Sequence, residues 1–96
     1  MSIARIGEFK AQEGLSEEMH NFLLTIIPLI TSSTGCESCQ LFQSQEDAHT
    51  FIMVEVWDSV ESHQASVKNI PPEMLVAIRP LLADAPNGRY YNYLTQ

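Results

Sequence analysis

The sequence predicts an α+β fold, a four-stranded antiparallel sheet with helices on one face. Three observations support this prediction: four segments have the period of two that strands show, two regions repeat apolar residues at helical spacing, and the six follow the order strand, helix, strand, strand, helix, strand. That order is the ferredoxin-like βαββαβ plan. A chain of 96 residues, 45% hydrophobic and 18% charged, fits one globular domain over residues 1–96.

The first strand and the first helix are the clearest elements. Ile3–Lys10 alternates and places Arg5 on the opposite face from Ile6. Apolar residues then recur at helical spacing from residue 15 to residue 30, with Ser16 as the expected N-cap. These apolar residues are Leu15, Met19, Phe22, Leu23, Ile26, Ile27 and Ile30.

Two strands follow as an antiparallel pair. Cys36–Gln43 and Thr50–Trp57 are separated by a polar loop at residues 44–48. One face of the second strand is wholly apolar and consists of Ile52, Val54 and Val56. The other face carries Phe51, Met53, Glu55 and Trp57, so Glu55 is a carboxylate among apolar neighbours.

A second helical region and a last strand complete the plan. Asp58 with Glu61 three residues later resembles a capping box, which opens a short helix with His63 on its inward side. Pro72 stands where the helical region can restart. Residues 89–94 then read as the last strand. Of its tyrosines, Tyr91 and Tyr93 share one face and Tyr90 lies on the other.

Composition limits the partners of the chain. Five Lys and Arg against twelve Asp and Glu give a formal net charge of −7, which repels phosphate backbones and anionic membrane surfaces. The longest apolar run, at residues 22–30, is too short to span a membrane, and no secretory signal precedes it. We therefore expect no nucleic-acid partner, no membrane insertion and a cytoplasmic location.

Two cysteines stand in a C-x-x-C spacing that zinc sites and thiol redox centres share. On a regular strand Cys36 and Cys39 would point to opposite faces, whereas a chelate or a disulfide needs converging sulfur atoms. The three histidines lie on three different predicted elements. We therefore expect free thiols and no metal site.

Four short motifs resemble the antibiotic biosynthesis monooxygenase family, which includes quinol monooxygenase-like proteins. They are "GC" at residues 35–36, "VEVWDS" at 54–59, "ESHQA" at 61–65 and "RPLL" at 79–82. Their order and spacing cover nearly the whole chain. The resemblance implies a dimeric α/β barrel in which two sheets face each other, with a pocket in each subunit and, in many members, no metal, flavin or haem.

The sequence departs from that family pattern at several positions. The second histidine of many members would lie three residues after His63, where this chain has Ser66. In the haem-degrading branch, the strand asparagine and the axial histidine would fall on Gly7 and Val67. Haem degradation is therefore disfavoured, and no cofactor is expected.

Candidate catalytic residues are His63, Glu55 and Trp57. His63 has an ordinary pKa suited to proton transfer, although a histidine among apolar neighbours is often only a hydrogen-bonding group. Glu55 is either a base, a partner of His63 or the partner of an arginine across the sheet. Trp57 is either a core indole or a wall of the pocket, and the resemblance favours the wall. The expected substrate-binding residues are Phe22, Phe51, Met53, Arg5 and Tyr91, although packing at a dimer interface is an alternative for the tyrosines.

The resemblance implies oxygenation without a cofactor, for which an apolar slot with one base would have to hold a substrate that itself donates electrons to O₂. The substrate would be a quinol, an anthrone or a polyphenol, which O₂ converts to a quinone. An isomerase that needs no O₂, or a non-catalytic domain that binds an apolar metabolite, would fit the same residues. The apolar strand face at Ile52, Val54 and Val56 predicts a homodimer through the sheet faces.

Overall fold

Four strands and three helices make up residues 1–95, the part of the chain that this computed structural model describes. The strands are β1 (Ile3–Lys10), β2 (Cys36–Gln43), β3 (Thr50–Trp57) and β4 (Asn87–Asn92). The helices are α1 (Ser16–Thr31), α2 (Val60–Ser66) and α3 (Pro72–Ile78). The sheet has the order β2-β3-β1-β4, and every neighbouring pair is antiparallel. The α+β ferredoxin-like prediction is confirmed. None of these helices has the length and apolar character that crossing a bilayer requires.

The N-cap of α1 is Leu15 rather than the expected Ser16, and no side chain caps this helix. The other differences from prediction lie in the second half of the chain. The second helical region is two helices, because a 3₁₀ turn at Val67–Asn69 and the proline pair at residues 71–72 separate them. The N-cap of α2 is Ser59 rather than Asp58, since the Ser59 hydroxyl accepts a hydrogen bond from the Ser62 N–H at 3.1 Å. Strand β4 occupies Asn87–Asn92 instead of residues 89–94, two residues earlier than the tyrosines suggested.

The two faces of the sheet have different surroundings. The inner face contains Arg5, Met53, Glu55, Trp57 and Tyr90, which cross-strand pairing places on one side. It packs against α1 and α3 around a core of buried apolar residues, which include Met19, Leu23, Phe51, Met53, Trp57 and Ile78. Full burial of a side chain of this size contributes about 1.5–3 kcal/mol to stability. The inner face is therefore where the fold is held together.

The outer face of the sheet consists of the alternate residues of the same strands. It contains Ile6, Phe42, Ile52, Val54 and Tyr91. Phe42 is 51% exposed and Tyr91 is 47% exposed, while the three aliphatic side chains are half-buried. Val56 is also on this face but is only 9% exposed within the single chain. The apolar surface left uncovered is therefore smaller than the sequence suggested.

A β-bulge changes the expected orientation of the two cysteines. The register of β2 against β3 shifts between Cys36 and Ser38, so Cys36 pairs with Trp57 and Cys39 pairs with Glu55. Both cysteines consequently lie on the inner face, where they pack against the core. The expectation that they point to opposite faces is wrong, because the bulge inserts one extra residue between them and so interrupts the alternation of side chains.

Both thiols are nevertheless free. Burial and the Glu55 carboxylate raise the pKa of Cys36, and the same causes raise the pKa of Cys39 to about 12. A thiol with a raised pKa is a poor nucleophile and a poor metal ligand at neutral pH. Within residues 1–95, no three His, Cys, Asp or Glu side chains form a group that could hold a metal ion.

Candidate substrate cavity

A cavity of about 260 Å³ lies between the inner face of the sheet and the helices. Its walls are mainly apolar, and they include Phe22, Ile26 and Ile30 of α1, Met74 and Ile78 of α3, and Met53 of β3. The ionisable groups in the wall are Arg5, Glu55 and His63. The volume is just below the range of about 300–1,000 Å³ that is usual for drug-sized ligands, so the cavity suits a small molecule.

Glu55 is held in the cavity wall by its neighbour on the same strand. The Trp57 indole donates a hydrogen bond from Nε1 to Glu55 Oε1 at 2.9 Å. The Glu55 residue is only 9% exposed, and this burial raises the pKa of its carboxyl group, although the Trp57 hydrogen bond and the nearby Arg5 charge act in the opposite direction. Glu55 therefore has the character of a weak acid that can accept and return a proton.

His63 reaches the same place from α2. Its Nε2 lies 4.0 Å from Glu55 Oε1, and its Nδ1 lies 2.6 Å from the Tyr90 hydroxyl oxygen. Burial, and secondarily the Arg5 charge, lower the pKa of His63 below its usual value of 6.5. The imidazole is consequently neutral at pH 7, which is the form that can accept a proton.

The position of His63 depends on how α2 begins. Asp58 donates its backbone N–H to the Gly35 carbonyl at 2.9 Å, which joins the start of α2 to the end of the turn before β2. Gly35 has φ +90°, and a Cβ there would lie 2.6 Å from the Ser62 side chain and 2.7 Å from Asp58 Oδ1. Only glycine allows this close approach. The close contact with Gly35 therefore fixes the start of α2, the helix that carries the His63 imidazole.

Arg5 completes the polar part of the wall. It pairs across the sheet with Glu55 on one side and with Tyr90 on the other. Its guanidinium carbon is 4.9 Å from the centre of the Tyr90 ring, a cation–π contact. Among residues 1–95, no carboxylate oxygen lies within 4.0 Å of its nitrogen atoms. The ion pair considered for Glu55 is thus not formed with Arg5, and Arg89 pairs with Ile6 on the outer face.

The structure brings together five of the eight residues selected from the sequence. Arg5, Phe22, Met53, Glu55 and His63 all line the cavity. The other three do not.

Trp57, Phe51 and Tyr91 lie elsewhere. Trp57 is fully buried and acts on the site through its hydrogen bond to Glu55 and its edge contact with His63, whose ring centre is 5.5 Å away. Phe51 is 1% exposed in the core, with the His20 ring stacked at 6.2 Å. Tyr91 faces outward because it pairs with Ala4, whereas the neighbouring Tyr90 pairs with Arg5.

On β4 the sequence led us to select Tyr91 in place of Tyr90, and it did not identify Gly88. Tyr90 contacts both His63 and Arg5, and Gly88 lines the cavity beneath the guanidinium. The alternation within β4 separated Tyr90 from Tyr91, but it could not say which of them faces inward. The register against Arg5 was the missing information.

Comparisons with known proteins agree with this fold. A sequence model of the family described as antibiotic biosynthesis monooxygenase matches residues 2–79. No curated protein sequence matches the chain. Among solved structures, a protein of Chloroflexus aurantiacus assigned to the antibiotic biosynthesis monooxygenases is 27% identical, with a TM-score of 0.76 over 100% of this chain and 97% of that one.

Two other solved structures have lower sequence identity. One is a protein of Nitrosomonas europaea with the same assignment, which is 14% identical with a TM-score of 0.88 over 98% of this chain and 91% of that one. The other is SnoaB of Streptomyces nogalater, a cofactor-independent oxygenase whose structure is that of a point mutant. It is 11% identical with a TM-score of 0.82 over 99% of this chain and 95% of that one. At these identities the likeness is one of fold.

Proposed function

The chain belongs to the antibiotic biosynthesis monooxygenase family, and from that premise we propose that it is a cofactor-independent monooxygenase. Its substrate would be a small hydroxy-aromatic compound, a quinol, an anthrone or a polyphenol, which it oxidises to a quinone with O₂. The observation that supports this most is the pairing of Glu55 with His63 in the wall of an otherwise apolar cavity. The solved structure of SnoaB, a cofactor-independent oxygenase, shows that the fold accommodates such chemistry in that protein.

The proposed reaction begins with proton transfer. The neutral imidazole of His63, 4.0 Å from the Glu55 carboxylate, takes a proton from the substrate, and Glu55 stabilises the imidazolium that forms. The substrate becomes an electron-rich phenolate or enolate. Arg5, in the same wall, donates hydrogen bonds to the anionic oxygen. The apolar remainder of the cavity accepts the flat ring and keeps water out.

Oxygen then reacts with the anion directly. The anion passes one electron to O₂, and the resulting radical and superoxide combine through a new carbon–oxygen bond. The proton held by His63 returns to the terminal oxygen and gives a hydroperoxide. Loss of water breaks the O–O bond, so one oxygen atom remains on carbon as the carbonyl. The other oxygen leaves with two hydrogens that the substrate has lost.

Oxygen isotopes test this proposal. Anthrone and naphthalene-1,4-diol would be incubated with the protein under ¹⁸O₂, and O₂ uptake above the protein-free rate would be recorded. One ¹⁸O in the product and none as hydrogen peroxide is the expected result. Product without O₂ uptake would indicate an isomerase instead. Saturable binding of both compounds without turnover would indicate a binding domain.

Two variants locate the base. His63→Ala and Glu55→Gln should each lower the protein-dependent rate by about 100- to 10,000-fold, the usual contribution of a positioned acid or base. Unchanged O₂ uptake in both variants would overturn the assignment of this pair.

We also propose that the chain acts as a homodimer joined through the outer faces of its sheets. Phe42 at 51% exposure and Tyr91 at 47% exposure leave apolar surface beside the half-buried Ile52 and Val54. Burial of such surface is the usual driving force for association. The two free thiols agree with a reducing location such as the cytoplasm, which is part of the same proposal. Sedimentation at micromolar concentration measures the assembly.

A further inference from the structure

Arg5 places a positive charge in an unusual setting. The chain has a formal net charge of −7 with only five Lys and Arg, yet Arg5 lies in the wall of a mainly apolar cavity. The acidic residue paired with it across the sheet, Glu55, is engaged with the Trp57 indole at 2.9 Å and faces His63 at 4.0 Å. The guanidinium edge is therefore available to a ligand in the cavity.

The guanidinium is also held in one position. The Tyr90 ring lies 4.9 Å from its central carbon, and Gly88 lies beneath it on β4. A Cβ at Gly88 would come within 2.6 Å of Arg5 Nε, so the arginine occupies the space that any other residue would fill. A guanidinium fixed in this way loses little conformational entropy when it binds a planar anion.

The relation between Arg5 and Glu55 limits the shape of that anion. The two residues are directly opposite each other on β1 and β3, so their Cβ atoms are about 4.5–5.5 Å apart. The guanidinium lies over Tyr90 and Gly88 of β4, and in the proposed mechanism it also donates to the reacting oxygen beside Glu55 and His63. A carboxylate bound by the same guanidinium must therefore stand next to that oxygen on the ring. A carboxylate also matches the two parallel N–H donors of a guanidinium.

We propose that the preferred substrate is an aromatic acid whose carboxylate stands ortho to the reacting hydroxyl group, with the carboxylate bound to Arg5. This inference rests on the proposed function in that it takes the same cavity as the substrate site. It adds the substrate class, which the family assignment leaves open. In this arrangement the hydroxyl group faces Glu55 and His63, and the ring lies against Phe22 and Met53.

Binding of two matched compounds tests the inference without depending on turnover. 1-Hydroxy-2-naphthoate and 1-naphthol differ only in the carboxylate, and calorimetry at pH 7.5 gives both dissociation constants. We expect the acid to bind about 10- to 100-fold more tightly, as is typical of a charge-assisted bidentate contact. Equal affinities would overturn the inference.

Substitutions then assign the difference to Arg5. In Arg5→Gln the preference for the acid over 1-naphthol should fall to less than about threefold. Arg79→Gln removes the same charge from an exposed 3₁₀ turn and should keep the preference intact. Arg5→Lys keeps the charge but loses the two parallel N–H donors, so we expect an intermediate preference for the acid. An equal loss of affinity for both compounds in Arg5→Gln and Arg5→Lys would show a structural role only and overturn the inference.

Oxidation assays separate this inference from the proposed function. O₂ uptake with naphthalene-1,4-diol and with its 2-carboxylate would be compared. Oxidation of both at equal kcat/KM would support the monooxygenase and overturn the carboxylate preference. Preferential binding of 1-hydroxy-2-naphthoate, with no protein-dependent O₂ uptake from either diol, would overturn the monooxygenase and support the acid-binding cavity.

Discussion

The inner and outer faces of the sheet are built from alternate residues of the same strands, yet they differ in chemistry. Arg5, Glu55 and Tyr90 face the cavity, whereas their sequence neighbours Ile6, Val54 and Tyr91 face outward. The inner polar groups are each held by a partner, which is what makes their burial tolerable. The comparison shows that a shift of one residue decides whether a side chain faces the cavity.

The largest effect is expected from a Glu→Gln substitution on the inner face, with the same substitution on the outer face as its control. Glu55→Gln removes a carboxylate beside His63, and we expect kcat/KM to fall by about 100- to 10,000-fold. Glu8→Gln makes the same change on the outer face, where Glu8 pairs with Ile52, and should leave kcat/KM within about twofold. O₂ uptake measures both. Similar losses in the two variants would mean that the faces are not functionally distinct.

A substitution on the outer face should change the association constant of the dimer rather than the rate of the reaction. Val54→Asp places a carboxylate in the middle of the proposed interface, twice per dimer, and should weaken association by at least about 100-fold. Val76→Asp, on an α3 side chain that is 61% exposed, is the matched control and should leave association unchanged. Sedimentation equilibrium gives both constants. A monomeric wild-type chain would refute the interface.

The next effect concerns the indole that holds Glu55. Trp57→Phe removes the Nε1 donor and should cost about 1–3 kcal/mol in the free energy of unfolding. It should also raise the pKa of Glu55 further, because that hydrogen bond stabilises the charged form. The acid limb of kcat/KM would then move to higher pH.

A core substitution without that hydrogen bond is the control for Trp57. Phe51→Leu reduces buried aromatic area on the same strand, so it should lower stability and leave the acid limb where it is. Equal pH profiles for Trp57→Phe and the wild type would show that the indole only fills space. Urea unfolding and the pH profile of kcat/KM measure the two effects separately.

Two adjacent tyrosines give the sharpest test of strand register. Tyr90→Phe removes the hydroxyl that lies 2.6 Å from His63 Nδ1, and kcat/KM should fall by about 3- to 10-fold. Tyr91→Phe removes the same atom from the outer face and should have almost no effect on kcat/KM. A greater loss in Tyr91→Phe than in Tyr90→Phe would show that Tyr91, and not Tyr90, faces the cavity.

The smallest effect is a pH dependence of stability. Because burial raises the folded-state pKa of Glu55 above 4.5, its stabilising contribution is complete below pH 4.5 and is lost as the pH rises through the folded-state value. Glutamine does not titrate. The free energy of unfolding of the wild type, relative to Glu55→Gln, should therefore fall between pH 4.5 and pH 7.5. A constant difference would mean that the carboxyl group is not buried as described.

Much of the fold and part of the site were predictable from local patterns. The period of two placed Arg5 and Ile6 on different faces of the sheet, and likewise Glu55 and Val54. The structure keeps both assignments. The helical spacing that began at Leu15 identified α1, which supplies Phe22 to the cavity. These features depend only on neighbours along the chain, which is why the sequence alone contains them.

The errors arose where contacts between distant strands decide the outcome. The inward tyrosine depends on the register of β4 against β1, and the direction of Cys39 depends on a bulge at residues 36–38. Neither can be counted from one segment. Trp57 was expected in the wall because the family resemblance favoured it. A large aromatic side chain suits either a core or a pocket, and only the packing around it separates the two.

Gly35 lies outside the cavity wall but has a consequence for how mutational data on this chain should be interpreted. Any side chain at this position would collide with Ser62 and Asp58, and α2 would move with His63 on it. In a deep mutational scan scored by turnover, Gly35 should therefore rank with the ionisable residues of the cavity, although it touches no ligand. Substitutions at Gly35 would then be tolerated as poorly as substitutions at His63, because Gly35 determines where His63 lies.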